Sequence, residues 1–254
     1  MRTLLLTALL SLTLLAGPAR ARAVKFVSDL DFAPYSMLID GKPAGIDVEV
    51  LQAAADKAGI TLEIELKPWE QLMKMVAAGT CDGAFALFRS PEREKIALFM
   101  EAMPVHVSDY VLFTLVGDTF PFGSYDDLAG KTVGKVRGIS LGDEFDQAAA
   151  AGKVAVREYP DLSSGLRGLL QGEVNAYAGN IDVTYYRLKA MGMTSSITYL
   201  TRKLAERQPA YLVMSRASDL EEKEEILQRL GIALDTMHKD GSYNRIAKRY
   251  LFRF

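Results

Sequence analysis

The sequence predicts an α/β protein built from two Rossmann-like lobes that face each other across a cleft. Segments typical of strands alternate with segments typical of helices along most of the chain, which favours a largely parallel sheet. The strand predicted for Gly83–Leu87 is apolar at every position, as expected where helices cover both faces of a sheet. The helix–turn–strand pattern around Gly79–Gly83 recurs around Gly172–Ala176, so the chain divides into two similar units. Ligands of such folds bind in the crevice at the carboxyl ends of the strands.

Residues 1–23 have the pattern of a signal peptide and are expected to lie outside the fold. Met1–Thr3 is a short basic region, Leu4–Ala16 is an apolar run too short to span a bilayer, and Ala21-Arg22-Ala23 is a cleavage signal. We therefore expect a periplasmic protein that begins near Val24. That position is not a cysteine and no later segment is long and apolar, so no membrane anchor is expected.

Composition narrows the classes of function. The 254 residues carry a formal net charge of −2 and contain no basic run, which argues against a nucleic-acid partner. Cys81 is the sole cysteine, so no internal disulfide is expected, and we interpret it as a small buried residue. The only histidines, His106 and His238, lack the spacing of metal ligands, so the sequence predicts neither a metal site nor a cofactor.

The elements of the first lobe are each bounded by a turn or capping signal. The first long helix has a continuous apolar face that includes Val50, Leu51 and Ala54. In chain order the expectations are strand Lys25–Ser28, the aromatic loop Phe32–Tyr35, a helix from Gly45 to Gly59, strand Thr61–Leu66, a helix from Pro68 to Gly79, and strand Gly83–Leu87.

The same alternation then restarts and forms the second lobe. The expected elements are strands Val111–Val116, Lys131–Val136, Val154–Tyr159 and Ala176–Ala178, a helix after the turn Arg137–Ser140, a helix capped by Ser163 or Ser164, and helix Asp182–Lys189. Strand Pro209–Arg216, a long helix Asp219–His238 and a last helix around Ile246 return to the first lobe. The predicted division is therefore 24–113 plus 208–254 for lobe 1 and 114–207 for lobe 2.

A short motif, Ser90-Pro91-Glu92-Arg93, carries the first hint of binding chemistry. Ser90 suits the N-cap of a helix and Pro91 suits its first position. Arg93 then falls in the first turn, where a cation opposes the helix macrodipole unless an anion binds there. The motif alone leaves two interpretations open: a solvated surface arginine, or a receptor for a carboxylate.

Taken in order, the motifs resemble family 3 extracellular solute-binding proteins, the periplasmic receptors of polar amino-acid ABC transporters. The resemblance implies a type II periplasmic binding protein fold whose lobes are hinged, a monomer, a small-molecule ligand and an ABC permease as partner. It rests on Phe32-Ala33-Pro34-Tyr35, Gly45-Ile46-Asp47-Val48-Glu49, Pro68-Trp69, Gly79-x-x-Asp82, Ser90-Pro91-Glu92-Arg93 and Gly172-x-x-Asn175-Ala176.

The resemblance also implies roles for individual residues. Arg93 would bind the ligand's α-carboxylate, Phe32 would stack on the ligand, and Ser140 would assist at the carboxylate. Asn180 stands where the family has an acidic residue that holds the α-amino group. The complete predicted ligand-binding set is Phe32, Tyr35, Trp69, Phe88, Ser90, Arg93, Ser140 and Asn180, with no catalytic residue assigned.

Some positions depart from the family pattern or allow more than one interpretation. Asn180 offers a neutral oxygen where an ammonium needs a carboxylate, so the expected ligand is a small carboxylate-bearing solute, either an amino acid or a related anion that is not a standard α-amino acid. Asp182 either replaces the missing carboxylate or caps the next helix, and we favour the cap. Phe88 and Arg89 suggest a flatter, more aromatic pocket, although Arg89 is equally compatible with a surface charge. Trp69 either covers the ligand or packs against the sheet.

Two other functions are compatible with the same fold. A cyclohexadienyl/arogenate-type dehydratase would need a general acid or base in the cleft, and Asp182, Glu92 and Asp31 are the candidates. A soluble ligand sensor would share the binding site without the transport partner. We favour the binding protein, in which Arg137 is expected to form a salt bridge across the closed cleft.

Overall fold

The computed structural model describes residues 22–251. The predicted signal peptide therefore lies outside the described residues except for Arg22 and Ala23. The Arg22 guanidinium donates to both carboxylate oxygens of Asp82, at 2.7 and 2.8 Å, and to Asp219 at 2.7 Å. The residues just before the first strand thus pack on the first lobe.

Strands and helices alternate as the sequence predicts. The strands are β1 Val24–Asp29, β2 Met37–Ile39, β3 Lys42–Ala44, β4 Leu62–Lys67, β5 Gly83–Phe88, β6 Ala97–Phe99, β7 His106–Leu115, β8 Thr132–Val136, β9 Ala155–Tyr159, β10 Ala176–Asn180 and β11 Ile197–Ser215. The helices are α1 Ile46–Ala58, α2 Trp69–Ala78, α3 Pro91–Glu94, α4 Asp143–Ala150, α5 Leu162–Leu170, α6 Ile181–Ala190, α7 Lys223–Lys239 and α8 Ser242–Leu251.

One continuous sheet joins the two lobes. Its strand order is β4-β1-β5-β11-β7-β10-β8-β9, with β6 paired to β11 outside this path. The outer strands of each half are parallel, whereas β7 and β11 run antiparallel to their neighbours. Because β7 and β11 extend through both halves, they connect the lobes, and the predicted two-lobed α/β fold is confirmed.

Glycines end the first two long helices, as predicted. Gly59 and Gly79 follow α1 and α2 with φ values of 65° and 71°, the left-handed conformation that a side chain disfavours. At Gly79 the requirement is also steric, since an added Cβ would lie 2.4 Å from the backbone carbonyl of Ala217. The end of α2 therefore packs directly on the segment after β11.

Other boundaries differ from the prediction. β7 begins at His106 rather than Val111, and β11 spans Ile197–Ser215 rather than Pro209–Arg216. The register of β11 against β7 shifts repeatedly between Tyr199 and Gln208, which breaks the alternation that identifies a strand in a sequence.

The cap predicted for the second-lobe helix at Ser163 or Ser164 is wrong. Asp161 caps α5 instead, and its carboxylate accepts hydrogen bonds from the backbone and the hydroxyl of Ser164 at 2.7 and 2.8 Å. A charged acceptor two or three residues upstream displaces the serines from that role.

The pairing of β7 with β10 is relevant to the position at which the chain passes from one lobe to the other. β10 pairs with Tyr110–Phe113, so this part of β7 lies among second-lobe strands although the predicted division places it in lobe 1. Arg207 has a φ of 49°, and its backbone N–H donates to the Asp109 carboxylate at 2.7 Å. The division at 113/114 and 207/208 stays a prediction.

Buried hydrophobic residues form a central cluster shared by both halves and two smaller ones in the described chain. Cys81 is buried in the cluster between α2 and the first-lobe strands, and burial raises the pKa of its thiol to about 11. Such a thiol is protonated at neutral pH and is a poor nucleophile. Across residues 22–251, no helix combines the length and apolar character needed to cross a membrane.

Candidate functional site

A cavity of about 290 Å³ lies between the lobes, which we call the main compartment. The last residues of three strands face it: Asp29 of β1, Val136 of β8 and Asn180 of β10. This is the carboxyl edge of the parallel strands, where the fold is expected to bind ligands. Most of the other lining side chains are apolar, including Leu30, Phe32, Trp69, Ile139, Leu162 and Val183.

A smaller compartment of about 30 Å³ adjoins it, which we call the Arg93 compartment. The two compartments share the side chains of Asp29, Phe32, Trp69, Tyr110 and Ile139, so they form one site. The small compartment adds Phe88, Arg93 and Ser140.

Arg93 is a buried cation without an ion pair to any described carboxylate. Its exposed fraction is 8%, its guanidinium donates to the Phe88 carbonyl at 2.9 Å, and its Cζ lies 5.0 Å from the centre of the Trp69 ring. Burial lowers the pKa of this arginine, and nearby acidic groups offset only part of the effect. A buried guanidinium without a counterion is stabilised by a nearby anion, so this arrangement favours anion binding in the adjoining cavity.

The local sequence explains how Arg93 is positioned. Ser90 is the N-cap of α3, and its hydroxyl accepts a hydrogen bond from the Arg93 backbone at 3.4 Å. Pro91 occupies the first helical position, as predicted. The short helix turns the Arg93 side chain inward, so the surface interpretation of this arginine is wrong.

Asn180 is the second buried polar group of the site, with an exposed fraction of 3%. It is the N-cap of α6, and its Oδ1 accepts a hydrogen bond from the Val183 backbone at 3.1 Å. Its Nδ2 is buried and has no acceptor at hydrogen-bond geometry among residues 22–251. The main compartment is therefore lined by an unsatisfied donor.

The favoured role of Asp182 as helix cap is wrong because Asn180 fills that position. Asp182 lies in the first turn of α6, where its carboxylate accepts a hydrogen bond from the Tyr35 hydroxyl at 2.8 Å. It lines neither compartment, so it does not replace the missing carboxylate either.

Sequence reasoning missed two residues that line both compartments, Asp29 and Tyr110. Asp29 accepts a hydrogen bond from the Asp31 backbone at 3.0 Å, has no ion pair within the described chain, and burial raises its pKa to about 6. Burial also raises the pKa of Tyr110. The available signal was the position of Asp29 directly after the predicted strand Lys25–Ser28, at the carboxyl end of a parallel strand.

The predicted aromatic residues Phe32, Trp69 and Phe88 line the cavity. Phe32 and Trp69 line both compartments, and Phe88 lines the Arg93 compartment edge-on to Tyr110 at 5.4 Å between ring centres. Trp69 thus covers the cavity, and its indole N–H also donates to the Gly138 carbonyl at 3.2 Å.

Ser140 lines the Arg93 compartment, but its hydroxyl donates to Asp146 at 2.6 Å rather than into the cavity. Tyr35 and Ser90 line neither compartment, and the Tyr35 ring stacks on His106 at 4.2 Å. Arg89 is half-exposed and paired with Glu94, so the extra positive charge suggested for the pocket lies outside it.

Polar contacts join the lobes across the cleft. The Arg137–Glu70 salt bridge, at 3.4 Å, is present as expected. Trp69 contacts Gly138, Tyr35 contacts Asp182, and Arg187 pairs with Asp31. The structure is therefore the closed form of the cleft.

The model of the bacterial extracellular solute-binding proteins, family 3, matches residues 24–253, so the chain belongs to that family. The "Probable amino-acid-binding protein YxeM" of Bacillus subtilis (strain 168) is 26% identical over 220 residues, which cover 85% of this chain and 79% of YxeM.

Solved structures show the same fold. An ancestral arginine-binding protein bound to arginine has a TM-score of 0.76 and 21% identity, with 90% of this chain and 98% of that chain covered. A histidine kinase sensor domain with similarity to periplasmic binding proteins has a TM-score of 0.78 and 23% identity, with 91% and 96% covered.

Proposed function

We propose that this protein captures a small carboxylate-bearing solute, an amino acid or a related anion, between its two lobes in the periplasm. In this proposal it then delivers the solute to an ABC permease of the inner membrane. The observation that carries the proposal is the buried guanidinium of Arg93, which has no ion-pair partner in the described chain and lies against the interlobe cavity.

The binding mechanism follows from groups on both lobes. Arg93, Asp29 and Phe32 belong to the first lobe, and Asn180 belongs to the second. A ligand that contacts both sets binds the closed form more tightly than the open form, so it shifts the equilibrium toward closure. The names of the similar proteins, amino-acid-binding and arginine-binding, support a ligand that carries a carboxylate.

One observation favours a dehydratase-like enzyme as a second candidate. Of the predicted acids, Asp31 is paired with Arg187, Asp182 accepts from Tyr35, and Glu92 is exposed. Asp29 lines both compartments without an ion pair in the described chain, and a pKa of about 6 suits proton transfer. The binding proposal predicts that ligands are recovered unchanged after incubation with the protein, which mass spectrometry would check.

A thermal-shift panel tests the proposed function. Protein freed of bound ligand by unfolding and refolding would be screened against amino acids, simple carboxylic acids and aromatic acids, each beside its neutral amide. A ligand at 100 times its Kd stabilises the folded state by about 2.7 kcal/mol. We expect acids to raise the melting temperature and their amides to leave it unchanged. Equal shifts with an acid and its amide would contradict the proposal.

A further inference from the structure

We propose that the bound solute is a 2-oxo or 2-hydroxy acid with an apolar body, so that an oxygen rather than an ammonium stands next to its carboxylate. This inference rests on the proposed function, because it places the carboxylate at Arg93. It names the class of solute, which the fold alone leaves open.

The side-chain amide of Asn180 has a fixed orientation. The backbone N–H of Val183 is a donor, so only the carbonyl oxygen of the Asn180 side chain can face it, at 3.1 Å. The amide nitrogen is thereby turned away from the helix, and it is buried without an acceptor among the described residues. An unsatisfied buried donor is unfavourable, and an oxygen of a ligand would satisfy it.

The same donor disfavours an ammonium. An ammonium has only N–H groups to offer, so it would leave the Asn180 Nδ2 unsatisfied and place two donors against each other. A keto or hydroxyl oxygen accepts a hydrogen bond from this nitrogen without that conflict.

Tyr110 places the oxygen site close to the carboxylate site. Tyr110 lines both compartments, and Asn180 is its cross-strand neighbour. Arg93 lines the small compartment together with Tyr110. Because the two compartments share Tyr110, one small ligand can present neighbouring oxygens to Arg93 and Asn180.

The rest of the cavity indicates the body of the ligand. The main compartment of about 290 Å³ is lined mostly by apolar side chains. Its charged lining residues other than Asp29 each have a partner: Asp31 pairs with Arg187, Lys135 pairs with Glu158, and Asp161 caps α5. Such a lining favours a branched aliphatic or aromatic group over a second charge.

Asp29 offers the competing site for an ammonium, since its carboxylate lines both compartments without an ion pair in the described chain. An amino acid bound there would depend on Asp29, whereas an oxo or hydroxy acid would not. The substitution Asp29→Asn therefore separates the two arrangements.

The test compares matched ligands by isothermal titration calorimetry. The aromatic set is phenylpyruvate, phenyllactate and phenylalanine, and the aliphatic set is 4-methyl-2-oxopentanoate, 2-hydroxy-4-methylpentanoate and leucine. We expect the wild type to bind the oxo or hydroxy acid of at least one set about tenfold or more tightly than the amino acid. Asp29→Asn should not weaken that binding.

Asn180→Asp should reverse the preference, because Asp keeps the helix cap but presents an acceptor in place of the donor. Asn175→Asp is the matched control. Asn175 likewise accepts from a backbone N–H, that of Thr132 at 2.8 Å, but it is exposed and outside the cavity, so its substitution should leave the preference unchanged.

Other results would overturn the inference. If the amino acids bind most tightly and Asp29→Asn abolishes that binding, the inference is wrong while the proposed function stands. If none of the six ligands binds, the inference is also wrong, and the broader acid panel decides the proposed function separately.

Discussion

At the scale of single residues, the site is defined by polar groups that the protein buries without satisfying. Arg93 is a cation without a counterion, and Asn180 is a donor without an acceptor, within the chain from 22 to 251. Each arrangement reduces the stability of the free protein. Both groups face the interlobe cavity, so a ligand that completes them regains that free energy on binding.

Asp29 provides a residue-scale prediction about stability and pH. Because burial raises its pKa to about 6, the folded state loses stability relative to the unfolded state as the pH rises through that value. Asp29→Asn should therefore stabilise the ligand-free protein at pH 8. A shift of two pKa units corresponds to about 2.7 kcal/mol, and since Asp29 keeps partial solvent exposure we expect a gain of roughly 1 kcal/mol.

Urea unfolding at pH 4, 6 and 8 measures this effect. The stability that Asp29→Asn gains over wild type should be largest at pH 8. It should be small at pH 4, where the carboxyl of the wild type is largely protonated in the folded state. Asp118→Asn, on the exposed turn after β7, is the control and should show no gain that grows with pH. Equal stabilities of Asp29→Asn and wild type at pH 8 would refute the account of this carboxyl.

The sequence predicts some of these residues and not others for a physical reason. Arg93 is marked locally, because a capping serine and a proline fix its place in a helical turn. Asn180 can be identified from the sequence because it differs from the residue that the family pattern has at this position. Asp29 and Asp31 look alike in the sequence and both line the main compartment, but only the packing against the second lobe pairs Asp31 with Arg187 and leaves Asp29 without an ion pair in the described chain.

At the scale of elements, helix ends and strand registers differ in how far local sequence determines them. Helices α1 and α2 end where their glycines predict. The long strand β11 was predicted only over its last part, because its bulges against β7 depend on residues far away in the sequence. The same long-range pairing places part of β7 beside the second-lobe strand β10, which no local pattern reveals.

Gly79 gives an element-scale prediction. Gly79→Ala combines a disfavoured φ of 71° with a Cβ at 2.4 Å from the Ala217 backbone, which cannot move aside as a side chain would. Gly130→Ala is the matched control, since Gly130 has a φ of 73° and no atom within 4 Å of the added Cβ. We expect Gly130→Ala to lower the free energy of unfolding by about 1–2 kcal/mol and Gly79→Ala to lower it clearly more.

Chemical unfolding of both variants checks this prediction. A Gly79→Ala protein as stable as the Gly130→Ala protein would show that the end of α2 does not pack on the segment after β11. If Gly79→Ala yields no folded protein while the control folds, the prediction holds.

At the scale of the whole molecule, the lobes are joined by two shared strands and a shared hydrophobic cluster, and only a few polar contacts span the cleft. Arg137–Glu70 and Tyr35–Asp182 are contacts of this kind, and the first is largely exposed. Exposed ion pairs contribute little, about 0–1 kcal/mol. We therefore expect the balance between open and closed forms to depend on the ligand, which is the basis of the proposed capture mechanism.

Trp69 makes this mechanism measurable, because it is the sole tryptophan of the chain. Its ring lines both compartments, lies against the Arg93 guanidinium and contacts Gly138 of the second lobe. Ligand binding and closure both change its surroundings, so its fluorescence should report a titration directly.

The central claim, that Arg93 holds the carboxylate of the solute, is tested most directly by one such titration. The most stabilising acid of the thermal-shift panel would be added to wild type, Arg93→Ala and Arg89→Ala, the last being a neighbouring exposed arginine paired with Glu94. We predict a saturable change in wild type and Arg89→Ala with the same Kd. In Arg93→Ala we predict that the affinity for the acid falls by at least about tenfold, which corresponds to about 1.4 kcal/mol of binding free energy. Equal affinity in Arg93→Ala and wild type would contradict the account.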